Sequence, residues 1–141
     1  MSNERAEEPL PEPSSFWQRR RVLSFQQFRG ELRRFFEQRG VPARVSSDLI
    51  LATQEACNNA WRHGAGRDGC DVAVSCLGGE IVIEVADRGE GFDFEAVKAT
   101  WPPMILRDDG RGLFIISELC DDVEVVRRRR GTLVRIVKAV R

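Results

Sequence analysis

Between Cys70 and Ala86 apolar residues fall on every second position: Val72, Val74 and Cys76, then Gly78-Gly79, then Ile81, Ile83 and Val85. Alternation of period two marks strands with one buried face, and two such runs joined by a two-residue glycine turn make a β-hairpin. A lone hairpin is marginal in water, so other elements have to cover its apolar face. The upstream tract SFQQFRGELRRFFEQRG supplies one, because Phe25, Phe28, Leu32, Phe35 and Phe36 recur at helical spacing until Gly40 and Pro42 stop the run. This phenylalanine stripe reads as core packing in preference to a partner site.

A second helix is expected over SSDLILATQEACNNAWRHG, capped by Ser46 or Ser47, with Asp48 at the positive end of its dipole and Gly64 at its end. A third, LFIISELC, follows Gly110-Arg111-Gly112, and VEVVRRRRGTLVRIVKAV reads as another hairpin turning near Arg130-Gly131. A short edge strand is expected from Phe16 to Val22. Four or five strands with helices grouped between them make an α+β two-layer sandwich, a mostly antiparallel mixed sheet covered on one face by about three helices. Residues 1–15 hold four acidic residues and three prolines with almost nothing to bury, which predicts a disordered tail ahead of one folded domain, 16–141.

The 141 residues carry 22 basic and 22 acidic side chains, so no overall charge draws the chain to nucleic acid or anionic membranes. Arg19–Arg21 and Arg127–Arg130 are local exceptions. They read as solvated surface, with an acidic protein partner as the lesser alternative, because no interleaved aromatics or recognition motif accompany them. No apolar window is long enough to span a membrane and the N-terminus lacks the apolar run of a signal peptide, so a cytoplasmic location is expected. Cys57, Cys70, Cys76 and Cys120 form no C-x-x-C pair and share the chain with a single histidine, which predicts reduced core thiols rather than a zinc set.

Three segments carry polar residues that a fold alone does not require. On the second helix Glu55 and Asn59 stand four apart on one face, and His63 continues it, at the margin of the apolar stripe Leu49, Ala52, Ala56 and Ala60. An amide oxygen is a hard donor suited to Mg²⁺, and a carboxylate one turn away can take a proton from a hydroxyl, but the pair taken alone reads first as a solvated helix face. Next, IVIEVADRGEGFD runs a strand into Asp87, Gly89 and Gly91, where a carboxylate beside bare backbone suits a flat nitrogen heterocycle, or makes a plain Asp-Gly turn. Last, in DDGRGLFIISELC two glycines precede a helix whose N-terminal amides suit phosphate. Neither a P-loop nor a G-x-G-x-x-G turn is present, since Phe94 and Ile115 take the third-glycine positions.

In order, E-A-x-x-N-A-x-x-H-G at 55–64, D-x-G-x-G-F at 87–92 and G-x-G-L at 110–113 resemble the ATP-binding boxes of the superfamily of gyrase, ninety-kilodalton heat-shock chaperones, histidine kinases and mismatch-repair ATPases. The histidine-glycine ending of the first box and the run GRGLFIISELCDDVEV resemble a narrower group, the bacterial anti-sigma-factor serine/threonine kinases. That resemblance spans about residues 20 to 141. It implies ATP and Mg²⁺ as cofactors, with Asn59 on the metal and Glu55 as base toward a serine or threonine of a partner. It also implies Asp87 on the adenine amino group, Gly89 and Gly91 shaping the adenine pocket, and a lid over about Asp93 to Asp109. Gly110 and Gly112 would present amides to phosphate beside Leu113, with Arg111 and His63 near the phosphates and Thr132 supporting Asp87. The implied partners are an anti-sigma-factor antagonist, which is phosphorylated, and a sigma factor or similar target; the implied working unit is a homodimer, without nucleic acid or membrane. A binding adaptor that keeps ATP but transfers no phosphate is the alternative. A histidine kinase is disfavoured, because 141 residues leave no room for a helical hairpin with a phospho-accepting histidine.

Overall fold

A computed structural model describes residues 20–63, 69–77, 79–87, 99, 108–129 and 131–140. The expected tail, Gly89, Gly91 and most of the expected lid lie outside them. In chain order the elements are β1 (Arg20–Val22), α1 (Phe25–Gln38), α2 (Ala43–His63), β2 (Cys70–Leu77), β3 (Glu80–Ala86), α3 (Asp108–Leu119), β4 (Asp122–Arg127) and β5 (Thr132–Ala139). The strands form one sheet in the order β1-β2-β3-β5-β4, antiparallel at every described pairing. This is the expected α+β sandwich.

Register explains how the alternating residues become a core. Val72 pairs with Val85, Val85 with Val134 and Val134 with Val125; beside that row run Val74, Ile83, Ile136 and Val123. All eight are buried, in one cluster with Phe25, Phe28, Leu32, Phe35 and Phe36 of α1, Leu49, Ala52 and Ala56 of α2, and Leu113 and Ile116 of α3. The three helices among the described residues therefore share one face of the sheet, with α2 against β2, β3 and β5. Phe36 is wholly buried, and Phe36→Ala is expected to cost about 3–5 kcal/mol of stability through lost transfer energy and a residual cavity. Equilibrium denaturant unfolding checks this; a loss below about 1 kcal/mol would contradict the packing.

Two helix starts differ from expectation. Neither Ser46 nor Ser47 caps α2, and Asp48 is not in its first turn: the helix begins at Ala43, and the Ser46 backbone N–H donates to the Pro42 carbonyl at 2.9 Å. The cause is the tight exit from α1. Gly40 has a φ of 69°, its N–H reaches the Glu37 carbonyl at 3.1 Å, and the Val41 N–H reaches Phe36 at 3.0 Å. This pair of bonds is a Schellman ending, and Pro42 starts the next helix directly behind it. Asp48 instead pairs with Lys138 of β5 at 3.4 Å. At α3 the helix opens at Asp108, so Gly110 and Gly112 lie inside its first two turns rather than ahead of it. The expected edge strand is described from Arg20 onward.

The other face of the sheet holds a charged row. Arg135 of β5 donates through Nε to Glu84 of β3 at 2.8 Å and through Nη1 to Glu124 of β4 at 2.8 Å. Glu84 is 2% exposed, which a carboxylate tolerates only when paired. The cysteines are all free thiols, three buried and Cys76 half-buried. A hydrogen bond with Cys70, together with burial, holds the Cys57 thiol well above its ordinary range, and burial pushes Cys120 up to about 12 against the opposing pull of Lys138. The cysteines are thus mostly core thiols, as the sequence implies, with Cys76 at the margin. No helix among the described residues is long and apolar enough to cross a membrane.

Candidate nucleotide site

The site is built where α3 crosses α2. Glu55 and Asn59, one turn apart on α2, face Gly112 of α3: a Cβ added to Gly112 would stand 3.1 Å from Glu55 Oε1 and 3.8 Å from both Nδ2 and Oδ1 of Asn59. Glycine is there for space, and any larger side chain would fill the gap between the helices. Leu113 and Ile116, both fully buried, anchor α3 in the core and so hold Gly112 against α2.

Asn59 is 2% exposed, yet its Nδ2 has no hydrogen-bond partner among the described residues. Such a group costs about 1–3 kcal/mol of stability relative to a satisfied one, so a fold does not place it there for its own sake. Its Oδ1 accepts a 3.4 Å bond from Arg62 Nη1, three residues on and exposed. Glu55 is half-buried beside it. The result is a small polar cradle containing a hard oxygen donor, an amide with unmet donor capacity and a carboxylate.

The third segment lies at the ends of two strands. Asp87 follows β3 and is 8% exposed; its backbone N–H donates to the carbonyl of Thr132, the first residue of β5, at 3.0 Å. Thr132 is 2% exposed and, two residues before Val134, lies on the sheet face that α2 covers. Sequence order separates this aspartate and threonine by 45 positions, and strand pairing joins them.

The sequence-derived set is thus brought together in two groups, Glu55 with Asn59 and Gly112, and Asp87 with Thr132. His63 is the last residue of α2, and Gly110 falls in the first turn of α3. Arg111 is half-buried next to Gly112, while the Leu113 side chain belongs to the core. Gly89 and Gly91 lie outside the described residues. Sequence reasoning left the direction of Arg62 open and missed the Glu84–Arg135–Glu124 row. The only advance signal for Arg62 was its i+3 spacing from Asn59. Trp61 is another omission, its Nε1 being buried with no partner among the described residues.

Comparison with known proteins fits this geometry. Residues 20–138 match the family described as histidine kinase-like ATPase domain. The chain is 30% identical over 105 residues to the serine-protein kinase RsbW of Staphylococcus epidermidis, covering 67% of this chain and 65% of that protein. It is 40% identical over 90 residues to the RsbW of Bacillus pumilus, covering 55% and 56%. The chain therefore spans less than two thirds of the length of these relatives. Among solved structures, the SiaB-SiaC complex from Pseudomonas aeruginosa contains a chain similar at a TM-score of 0.63 and 15% identity, covering 85% of this chain and 88% of that one. The histidine kinase domain of the blue-light activated kinase EL346 from Erythrobacter litoralis is similar at 0.55 and 18%, covering 91% and 71%. At these identities the two structures speak for the fold.

Proposed function

Since the chain belongs to the histidine kinase-like ATPase domain family, we propose that it is an ATP- and Mg²⁺-dependent serine/threonine kinase that phosphorylates an anti-sigma-factor antagonist. The observation that carries this is the convergence of Glu55, Asn59 and Gly112, with the buried Asn59 Nδ2 lacking an acceptor that a phosphate or water oxygen would supply. The donor set fits a hard cation, which Mg²⁺ would bind through one amide oxygen while taking its other ligands from phosphate and water. When bound, the metal offsets charge on the phosphates.

The protein's own groups do the rest. Asn59 Oδ1 would hold the metal and Gly112 leaves the room. Glu55 accepts the proton of a partner's serine or threonine hydroxyl as that oxygen bonds to the γ-phosphorus and the bond to the β–γ bridging oxygen breaks, releasing ADP. Asp87 accepts a hydrogen bond from the adenine amino group, held in place by Thr132; the roles of Gly89 and Gly91 in the adenine pocket rest on the sequence motif alone. The free amides of the first turn of α3, up to Gly110, would suit phosphate, with Arg111 and His63 as the neighbouring cationic and polar groups, while Gly112 leaves room and Leu113 anchors the helix. Two relatives named serine-protein kinase support this reading over that of a histidine kinase. A sigma factor or similar target, sequestered once the antagonist is phosphorylated, and a homodimer as the working unit complete the reading.

Incubation with γ-labelled ATP, Mg²⁺ and the small proteins encoded beside this gene tests it. Label on a serine or threonine of one of them is the expected result. Tight ATP binding with no label transferred to any partner would replace the kinase with a binding adaptor.

A further inference from the structure

Two large apolar side chains stand exposed among the described residues, Leu23 at 69% and Leu51 at 40%. Leu51 lies four residues before Glu55 on α2, so the two share one helical face with their Cβ atoms about 5–6 Å apart. The rest of its surroundings follows from how the helices run. Gly112 of α3 sits against Glu55 and Asn59, whereas Lys138 pairs with Asp48 at 3.4 Å and also donates to the carbonyl of Leu119. The first half of α2 therefore meets the end of α3, and the two helices are antiparallel. Leu51, between Asp48 and Glu55, lies opposite the stretch of α3 between Gly112 and Leu119. Ile115, three residues after Gly112 and four before Leu119, shares their side of α3 and is half-buried. The outer groove between the helices is thus apolar immediately beside the Glu55 carboxylate.

We infer that Leu51 and Ile115 form a docking seat for an aliphatic side chain of the protein substrate, carried within about 6 Å of the serine or threonine that is phosphorylated. Resting on the proposed kinase activity, the seat has a definite occupant: that hydroxyl has to reach Glu55, so the substrate surface around it covers the neighbouring turn of α2. The fold alone gains little from an apolar residue at a solvent-facing position, since a leucine left in water forgoes the burial that favours it. An apolar seat rewards an aliphatic side chain and penalises a charged one, which would lose its water without gaining a partner. Both residues stand on helices anchored in the core, so docking has little to order and its entropic cost is small.

Steady-state transfer from γ-labelled ATP to the protein that takes up label is measured for the wild type, Leu51→Gln and Leu51→Met, with ATP affinity measured beside it. In L51Q, KM for the protein substrate is expected to rise about five- to tenfold, while kcat and ATP affinity stay within about a factor of two, because the lost contact is made equally before and during transfer. L51M keeps an apolar side chain, and its KM is expected to stay within about a factor of two of wild type. On the substrate, each Leu, Ile, Val and Met neighbouring the labelled residue is changed to Ala. One of these changes is expected to raise KM by a similar factor with the wild type and to add little with L51Q, the mark of a direct contact. An unchanged KM in L51Q, a loss of kcat or ATP affinity in its place, or full additivity with every substrate variant would overturn the seat and leave the kinase reading standing. Absence of transfer by the wild type to any protein would instead overturn the kinase reading, and the seat with it.

Discussion

Glu55→Gln is expected to lower the rate of phosphate transfer to the partner by about 10²–10⁴-fold, while ATP affinity stays within about a factor of two. The size follows from the role. A carboxylate beside the attacking hydroxyl removes its proton as the O–P bond forms, and an amide of the same shape cannot. The shape matters as much as the charge here. Glu55 Oε1 lies 3.1 Å from the point a Gly112 Cβ would occupy, so the glutamine fits the gap that the glutamate fits and α3 keeps its seat on α2. Loss of a negative charge near the phosphates would, if anything, tighten ATP. Initial rates with saturating partner, set beside equilibrium ATP binding, separate the two quantities. A variant that transfers phosphate at more than about a tenth of the wild-type rate would remove Glu55 as the base, and Glu55 would then be a half-buried carboxylate of α2 with no part in the reaction.

How much of this was legible in the sequence depends on the range of the interaction concerned. Period-two alternation located both hairpins, since each strand's inward residues are set by its own spacing; Val72, Val74, Ile81, Ile83 and Val85 all face the helices. The phenylalanine stripe of α1 was legible for the same reason. Local chemistry misled where two elements abut: Ser46 and Ser47 are good caps in isolation, but the Schellman ending of α1 and Pro42 start α2 three residues earlier. The Glu84–Arg135–Glu124 row was beyond reach because Glu84 and Arg135 are 51 positions apart and only strand register makes them neighbours. The site shows the same division. Spacing alone placed Glu55 and Asn59 on one helical face, whereas their meeting with Gly112, the orphaned Asn59 amide and the direction of Arg62 depend on how α3 crosses α2.

That orphaned amide gives a prediction with two effects of opposite sign. Asn59→Leu replaces a buried amide by an apolar side chain with the same number and branching of heavy atoms, though a bulkier one. If Asn59 were present for the fold, the change would destabilise, as breaking a satisfied buried polar contact does. Because Nδ2 has no partner among the described residues, the substitution removes a desolvation cost instead. It is expected to stabilise the nucleotide-free protein by about 1–3 kcal/mol, seen as a melting temperature higher by roughly 4 °C for each kcal/mol. The weak 3.4 Å contact from exposed Arg62 is lost at the same time and offsets little of this gain. The same variant loses the oxygen that would hold the metal. A contact to a charged group is worth about 1.5–3 kcal/mol, so affinity for ATP in Mg²⁺ is expected to fall roughly ten- to hundredfold. Thermal unfolding without ligand and ATP titration in Mg²⁺ read the two effects separately. A lower melting temperature would make Asn59 a structural residue, and an unchanged titration would take it off the metal. Stability gained and binding lost in one substitution would mark a residue kept for its ligand at the expense of the fold.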